Sequence, residues 1–493
     1  MKKERKVLIA TTEAVPFAKT GGLADVTGSL PGALKNMGAD VNLVMPKYSF
    51  IDDKKFKIKD TGFSFNVPMD GHDVEVKISK TTLPGTKNDV FFVECDRYFD
   101  RDGLYGEGGC DYTDNDMRFA LFSRAVVDMM KVMDFKPEVV HCNDWQTGLI
   151  PTYMRTVYGN DDFYRGISTI MTIHNIAFQG VFPAETMNRI GLPWDIFNVD
   201  GVEYWGQVSY LKSGIVYADL ISTVSETYAR EIQTSHEFGL GMEGLLASRS
   251  DDLYGIINGI DYSTWNPSKD KHLNSTYDNS DLRGKNRNKK DLQKTRGLDT
   301  GNIPMITMVT RLDENKGIEM VAQAMEQIMN MDVQMMILAS GEKRYEDMLQ
   351  QLADTYRNNL SVEISFDETM AHKIYAGGDI FLMPSKTEPC GTSQMIALHY
   401  GQLPIVHNTG GLADTVTDYT DNPDTGNGFT FDEFTTGAMM DAIDRALETY
   451  SNKRKWNSIV KKSMAVDYSW KNSASKYMDL YKKAAEKKEA VLA

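Results

Sequence analysis

What this chain has little of narrows its possible roles. Only four of its 493 residues are cysteine. Cys95, Cys110, Cys142 and Cys390 show neither a C-x-x-C spacing nor a histidine partner pattern, which argues against a structural zinc. Positive charge is in short supply: 54 Lys and Arg face 69 Asp and Glu, a formal net charge of −15. That balance argues against binding the phosphate backbone of a nucleic acid. Long apolar runs are missing too. The N-terminal one, Val7 to Ala10, is too short for a signal peptide, and nothing approaches a membrane span. A cytoplasmic, soluble protein without a plastid transit segment is expected. No Asp-x-Asp motif stands on a strand end near a glycine turn, and the Asp pairs at 161–162 and 251–252 read as surface turns, so no metal and no cofactor are expected. The length exceeds one typical core and implies two or three domains.

What is there centres on Met383 to Asp414, MPSKTEPCGTSQMIALHYGQLPIVHNTGGLAD. An apolar strand, 379–383, leads through a loop to Glu388 and Cys390-Gly391 at the start of a helix. Met395, Ile396 and His399 share one face of that helix. Gly401 ends it, a second short strand follows at 403–406, and Thr409-Gly410-Gly411 opens another helix. In an open α/β sheet, ligands sit where strand ends meet helix N-termini. Free N–H groups and the helix dipole make such turns receptive to phosphate. The turns at Gly391 and Gly410-Gly411 are therefore read as a cradle for a diphosphate, with Glu388 beside it for sugar hydroxyls.

One six-residue string occurs twice. Thr20-Gly21-Gly22-Leu23-Ala24-Asp25 matches Thr409-Gly410-Gly411-Leu412-Ala413-Asp414 letter for letter, as two similar α/β halves would explain. EPCGTSQ at 388–394, TGGLADTV from Thr409, KTGGLADV from Lys19 and TIHNIAFQG at 172–180 together resemble the bacterial glycogen synthases and plant starch synthases of glycosyltransferase family 5. The likeness runs from Lys6 to about Tyr481, with the motifs in family order.

The resemblance implies an α/β GT-B fold, two Rossmann-like domains facing a central cleft. It implies retaining transfer of glucose from ADP-glucose to the non-reducing end of an α-1,4-glucan such as glycogen. A glucan is neutral and needs hydroxyl-binding groups rather than charge, which the acidic composition allows. Two alternatives stay open: a related GT-B transferase with a small acceptor, and a catalytically inactive glucan-binding protein. Neither membrane nor nucleic acid is an expected partner, and the protein is expected as a monomer or homo-oligomer.

Residue roles follow in the same way. An arbitrary Arg–Lys pair is more often solvated charge. Arg311 and Lys316, however, follow a strand directly and fit the family's R-L-x-x-x-K-G, which gives them the departing diphosphate. Fixed cations there would lower the barrier to breaking the glycosyl–phosphate bond. Glu388 alone could cap a helix; the family sets it on the donor sugar. Cys390 reads as a packed small residue, with Gly391 and Thr392 offering N–H groups to phosphate. A lone His174 would ordinarily be a satisfied core residue, but in H-N it matches the family position lining the anomeric centre. Asp144 and Trp145, in N-D-W, could be a cap and a buried indole; the family places them at the acceptor and donor cleft. Asn258 is assigned to the sugar's 6-hydroxyl, and Lys19 and Asp25 to the donor, with Gly21 and Gly22 permitting close backbone approach. Tyr105, with Trp145, is read as an acceptor shelf. Three departures stand out: Ala339-Ser340-Gly341 where G-x-G is usual, His407 where Arg is frequent, and Leu240 at a common Tyr position.

Strand-then-helix alternation gives a doubly wound first domain, 1–254, with an antiparallel insertion between Tyr48 and Cys95. The resemblance implies that residues 255–466 form the nucleotide-sugar-binding domain and that the terminal helix, 467–493, crosses back onto the first, which its amphipathic spacing permits. The polar stretch 266–297 is read as a surface segment plus an exposed helix. Ile318, Val321, Ala322, Met325, Ile328 and Met329 make one buried helical stripe. The nucleoside base is expected near Ser340-Gly341 and Asp367 to Met370.

Overall fold

The computed structural model describes residues 5–492. The chain divides into two units: one takes the residues up to Val224, Ala229–Ile256 and the chain from Trp470 on, the other Ser225–Tyr228 and Ile257–Ser469.

The first unit is built on a nine-stranded sheet. From one edge its strands are Leu253–Gly255, Leu220–Thr223, Ser168–Ile173, Val139–Asn143, Arg5–Ala10, Ala39–Pro46, Asp89–Glu94, His72–Thr82 and Lys59–Met69. All neighbours pair in parallel except the last two pairings, which are antiparallel. The antiparallel hairpin is the insertion expected from the alternating pattern, and Val67, Val74, Val76 and Ile78 carry its buried face. Parallel strands covered on both faces read as continuous apolar runs, and Val7 to Ala10 are fully buried. The C-terminal helix, Trp470–Leu492, belongs to this unit, with Ala474, Tyr477, Tyr481 and Ala484 completely buried.

In the second unit six parallel strands lie in the order Leu360–Ile364, Gln334–Gly341, Met305–Leu312, Ile380–Met383, Leu403–His407, Phe429–Phe431. The order reverses at Met305–Leu312, the switch point where ligands of such sheets bind. The apolar stripe forms helix Ile318–Met329 and is buried, apart from the half-exposed Ala322.

The helix within 266–297, Arg283–Thr295, is not the exposed element its composition indicates. Lys285, Asn288, Lys289, Leu292 and Gln293 are buried. Lys285 Nζ donates to the carbonyls of Ala376, Gly378 and Tyr400 at 2.7–3.2 Å. Burial pulls its pKa down to about 7. Lys289 Nζ reaches Asp379 Oδ2 at 2.5 Å. These ammonium groups satisfy carbonyls and a carboxylate that the fold buries, a use that composition does not reveal.

Candidate functional site

In the second unit the strand Met305–Leu312 ends in Arg311-Leu312, beside Ser340-Gly341 of its neighbour. Arg311 is exposed, and its guanidinium has no ion-pair or hydrogen-bond partner among the described residues. The chain then makes a short turn in which Asp313 caps Asn315 N–H. Gly317 closes it at φ 68°, where an added Cβ would lie 2.2 Å from Pro384 O. That turn presents Lys316, whose Nζ donates to Glu388 Oε2 at 2.7 Å; both side chains are largely buried.

Asn315 locks the two loops together. Its Oδ1 accepts from Thr387 N–H and Oγ1, its Nδ2 donates to Thr387 O, and its carbonyl accepts from Lys386 N–H. Sequence reasoning left Asn315 unread within R-L-x-x-x-K-G. The partners lie 72 residues away, so no local signal marks it. His407, where arginine is frequent, ties the same loop: Nδ1 faces the carbonyls of Ser385 and Lys386 at 3.0 Å, and Nε2 that of Asp432.

The second glycine pair has a structural use. A Cβ on Gly410 would meet Glu388 O, and one on Gly411 would meet Cys390 O, each at 2.0 Å. Gly411 N–H donates to Glu388 O. Those glycines let the 388–390 backbone pass against the helix start. Gly391, at φ 68°, backs onto Gln394, whose Nε2 donates to the carbonyls of Cys390 and Gly391. Thr392 is the N-cap residue of helix Ser393–His399 without a side-chain cap bond. Burial pushes the Cys390 thiol up to about 12, so it stays protonated and inert as a nucleophile. Asn258, 6 % exposed, hydrogen-bonds to Cys390, and its Oδ1 is buried without a partner. Such an orphaned acceptor costs free energy unless a donor arrives.

Phe366 is a residue the sequence reading missed. It follows strand Leu360–Ile364, at the C-terminal end of the sheet, and is 86 % exposed. Its one local signal is an aromatic residue two positions past a strand and just before Asp367, which caps helix Glu368–Gly377.

In the first unit strand Val139–Asn143 ends at Asp144, with φ 56° and ψ 178°. That region is nearly reserved for glycine and marks stored strain. Hydrogen bonds hold the residue there: Asp144 Oδ1 accepts His174 N–H at 2.7 Å, and Asn175 N–H also bonds the carboxylate. Burial raises the Asp144 carboxyl to about 7, with the charge of Glu13 adding to the effect. His174 Nε2 faces Asn143 Oδ1 at 2.9 Å, while Asn143 Nδ2 donates to Ala10 O and His141 O. That orientation makes Nε2 the protonated nitrogen of His174. Burial lowers its pKa to about 4, which keeps the ring neutral.

Glu13, also missed, is 3 % exposed and organises the first glycine turn. Its carboxylate accepts from Thr20 N–H and Oγ1 and from Gly21 N–H at 2.6–3.1 Å, and from Tyr105 Oη at 2.7 Å. Tyr105 is thereby anchored by its hydroxyl, which also meets Thr12 Oγ1. The space beside Gly21 and Gly22 is open, with nothing within 4 Å of an added Cβ. The two copies of T-G-G-L-A-D thus do different work. Lys19 Nζ pairs with both oxygens of Asp25 at 2.7–2.8 Å, and both side chains are about half exposed. Asp414 instead accepts from the N–H groups of Glu226 and Thr227.

Trp145 requires a correction. The ring is 9 % exposed and enclosed by Phe119, Phe182 and Tyr210 at centroid distances of 5.0–6.3 Å. A Cβ on Gly180 would strike it at 2.3 Å. It is core beneath the His174 loop and offers no shelf for a sugar.

Among the described residues, no group of three or more His, Cys, Asp or Glu side chains is placed to hold a metal ion. Nor is any helix among them long and apolar enough to cross a membrane.

Residues 6–248 match the family described as starch synthase catalytic domain, and residues 289–463 match glycosyl transferases group 1. A glycogen synthase of Syntrophotalea carbinolica is 46 % identical, covering 97 % of this chain and 99 % of that one. One from Thermosipho africanus is 42 % identical over 98 % and 100 %. The catalytic domain of starch synthase IV from Arabidopsis thaliana, solved bound to ADP and acarbose, superposes with a TM-score of 0.89. It is 32 % identical, with 98 % of this chain and all of that one covered. With two Rossmann-like α/β units, and with relatives matched over nearly their whole length, the chain belongs to the glycogen and starch synthase family of GT-B glycosyltransferases.

Proposed function

We propose that the protein is a glycogen synthase that transfers glucose from ADP-glucose to the 4-hydroxyl at the non-reducing end of an α-1,4-glucan, with retention of configuration. The observation that carries this reading is the Lys316–Glu388 pair at 2.7 Å, on the turn that follows the unpartnered Arg311 at the end of strand Met305–Leu312, the switch point of the second sheet. Two cations there suit a diphosphate, and a carboxylate within reach suits the hydroxyls of the sugar attached to it. As the glycosyl–phosphate bond breaks, negative charge grows on the leaving oxygen, and preorganised cations stabilise that charge more than the ground state. Glu388, freed from sole pairing with Lys316, then holds the glucosyl ring. Asn258 Oδ1, buried without a donor, accepts from a sugar hydroxyl.

The adenine is assigned to the end of strand Leu360–Ile364, where Phe366 offers an uncovered face. In the first unit, the neutral His174 and the strained Asp144 offer polar groups on a loop that the network around Asn143 fixes. Arg311 and Lys316 take the role a divalent ion plays in other transferases, so the reaction is assigned no metal. Function in the cytoplasm, where nucleotide sugars are made, fits the reading. The test is incubation with labelled ADP-glucose and glycogen after exhaustive chelation: label enters the polymer if the reading holds. A donor hydrolysed without transfer, or a strict need for added Mg²⁺, contradicts it.

A further inference from the structure

Glu203–Tyr204 and Gln207–Ser209 form an antiparallel hairpin with Tyr204 opposite Gln207, so its loop is Trp205-Gly206 alone. Both loop residues have positive φ, 52° and 77°. This is the two-residue turn whose twist matches a hairpin, and Asn-Gly is the favoured pair there. A tryptophan at φ 52° is strained, because its Cβ crowds the neighbouring carbonyl. No burial compensates. The residue is 79 % exposed, and the ring recorded beside it is that of Tyr204, 6.4 Å away and edge-on. The position therefore carries backbone strain and an uncovered apolar face together, a combination that points to binding.

The surroundings hold this indole in place. Glu203 Oε1 accepts Gly206 N–H at 2.6 Å. Tyr204 Oη donates to Leu240 O at 2.6 Å, and Gln179 Nε2 donates to the same carbonyl at 3.1 Å. Leu240 and Gly241 are themselves left-handed, and a Cβ on Gly241 would meet Tyr204 Oη at 2.4 Å and come within 3.5 Å of Trp205 Nε1. The 240–241 turn thus braces the hairpin and ties it, through Gln179, to the loop that begins at His174.

We propose that Trp205 is a stacking platform for an α-1,4-glucan, gripping glucosyl units of the acceptor polymer away from the end that reacts. The proposal rests on the glucan-synthase reading above. The C–H face of a glucosyl ring covers an indole well, and its hydroxyls project outward to polar neighbours such as Glu203. The Glu203 carboxylate, held against the same two-residue turn by Gly206 N–H, disfavours a phosphorylated or otherwise anionic ligand.

The test uses Trp205→Asn, whose side chain suits the turn, and Trp205→Phe, which keeps an aromatic face. Trp205→Asn is expected to melt at or above the wild-type temperature. It should raise the KM for glycogen about tenfold or more and abolish retardation in a glycogen-containing native gel. The KM for ADP-glucose should stay within about twofold, and Trp205→Phe should keep most of the glycogen affinity. Unchanged glycogen KM and retardation in Trp205→Asn overturn the inference, whatever the transferase assay shows. So does a loss of affinity that accompanies dissociation of an oligomer, which would make the hairpin a contact between copies. Trp205-dependent retardation in a protein that transfers no glucose would instead uphold the platform and refute the synthase reading.

Discussion

Lys316 Nζ sits 2.7 Å from Glu388 Oε2, with side chains only 15 % and 11 % exposed. Two loops 72 residues apart, clamped by Asn315, create that contact. The pair does two jobs, and they separate under mutation. Lys316→Ala removes a transition-state cation worth roughly 2.7–4 kcal/mol, about a hundredfold or more in kcat. It also strands a mostly buried carboxylate, so the melting midpoint should fall, as when one partner of a buried pair is lost. The double variant Lys316→Met/Glu388→Gln should recover the melting midpoint while staying inactive. A thermal melt and a rate assay on all three proteins decide; near-full activity in Lys316→Ala would reduce the residue to a structural charge.

Asp144 predicts a pH-dependent stability. Its folded-state pKa is raised to about 7 by burial, against about 3.9 for an unperturbed aspartate. The folded state therefore holds a proton that the unfolded state has lost between these values. The resulting destabilisation is absent below about pH 4, grows as pH rises, and is complete above about pH 7. Asp144→Asn keeps an acceptor for His174 N–H and removes the buried charge. It should raise the melting midpoint clearly at pH 8, by roughly a third as much at pH 5, and little at pH 4. An equal shift at all three pH values would mean that the carboxyl titrates normally.

Phe366 should set donor affinity. Stacking of a base on an aromatic ring is worth roughly 1–3 kcal/mol, so Phe366→Ala should raise the KM for ADP-glucose about five- to 150-fold. Phe366→Tyr should stay near wild type, and the KM for glycogen should not move. A Phe366→Ala enzyme with unaltered donor KM would place the base elsewhere.

Much of this was legible in the sequence, for identifiable reasons. The alternation of short apolar strands with helices needs only local periodicity, and both sheets follow it. Arg311 lies at the end of a strand and Lys316 and Glu388 a few residues past strands that neighbour each other, so the meeting of Lys316 with Glu388 follows once the sheet is granted. What stayed hidden depends on partners remote in the chain. Glu13 matters through N–H groups on a turn and a tyrosine 92 residues on. Asn315 matters through a backbone it meets only after folding. Lys285 looked solvated because its three carbonyl acceptors lie 91 to 115 residues away. Trp145 looked like a shelf because no letter in N-D-W records that Phe119, Phe182 and Tyr210 close over the ring. The repeated T-G-G-L-A-D misled in a subtler way: identical letters gave open space at Gly21-Gly22 and tight backbone packing at Gly410-Gly411.

The central claim is retaining glucosyl transfer to a glucan, supported by the cations and carboxylate of the second unit. Its most direct test is to follow ADP-glucose with a maltooligosaccharide acceptor by proton NMR, in wild type and in Lys316→Ala. The account predicts loss of the donor's anomeric signal and matching growth of an internal α-1,4 anomeric signal, with ADP released, in the wild type alone. A β-configured product, free glucose in place of chain growth, or equal rates in the two proteins would contradict it.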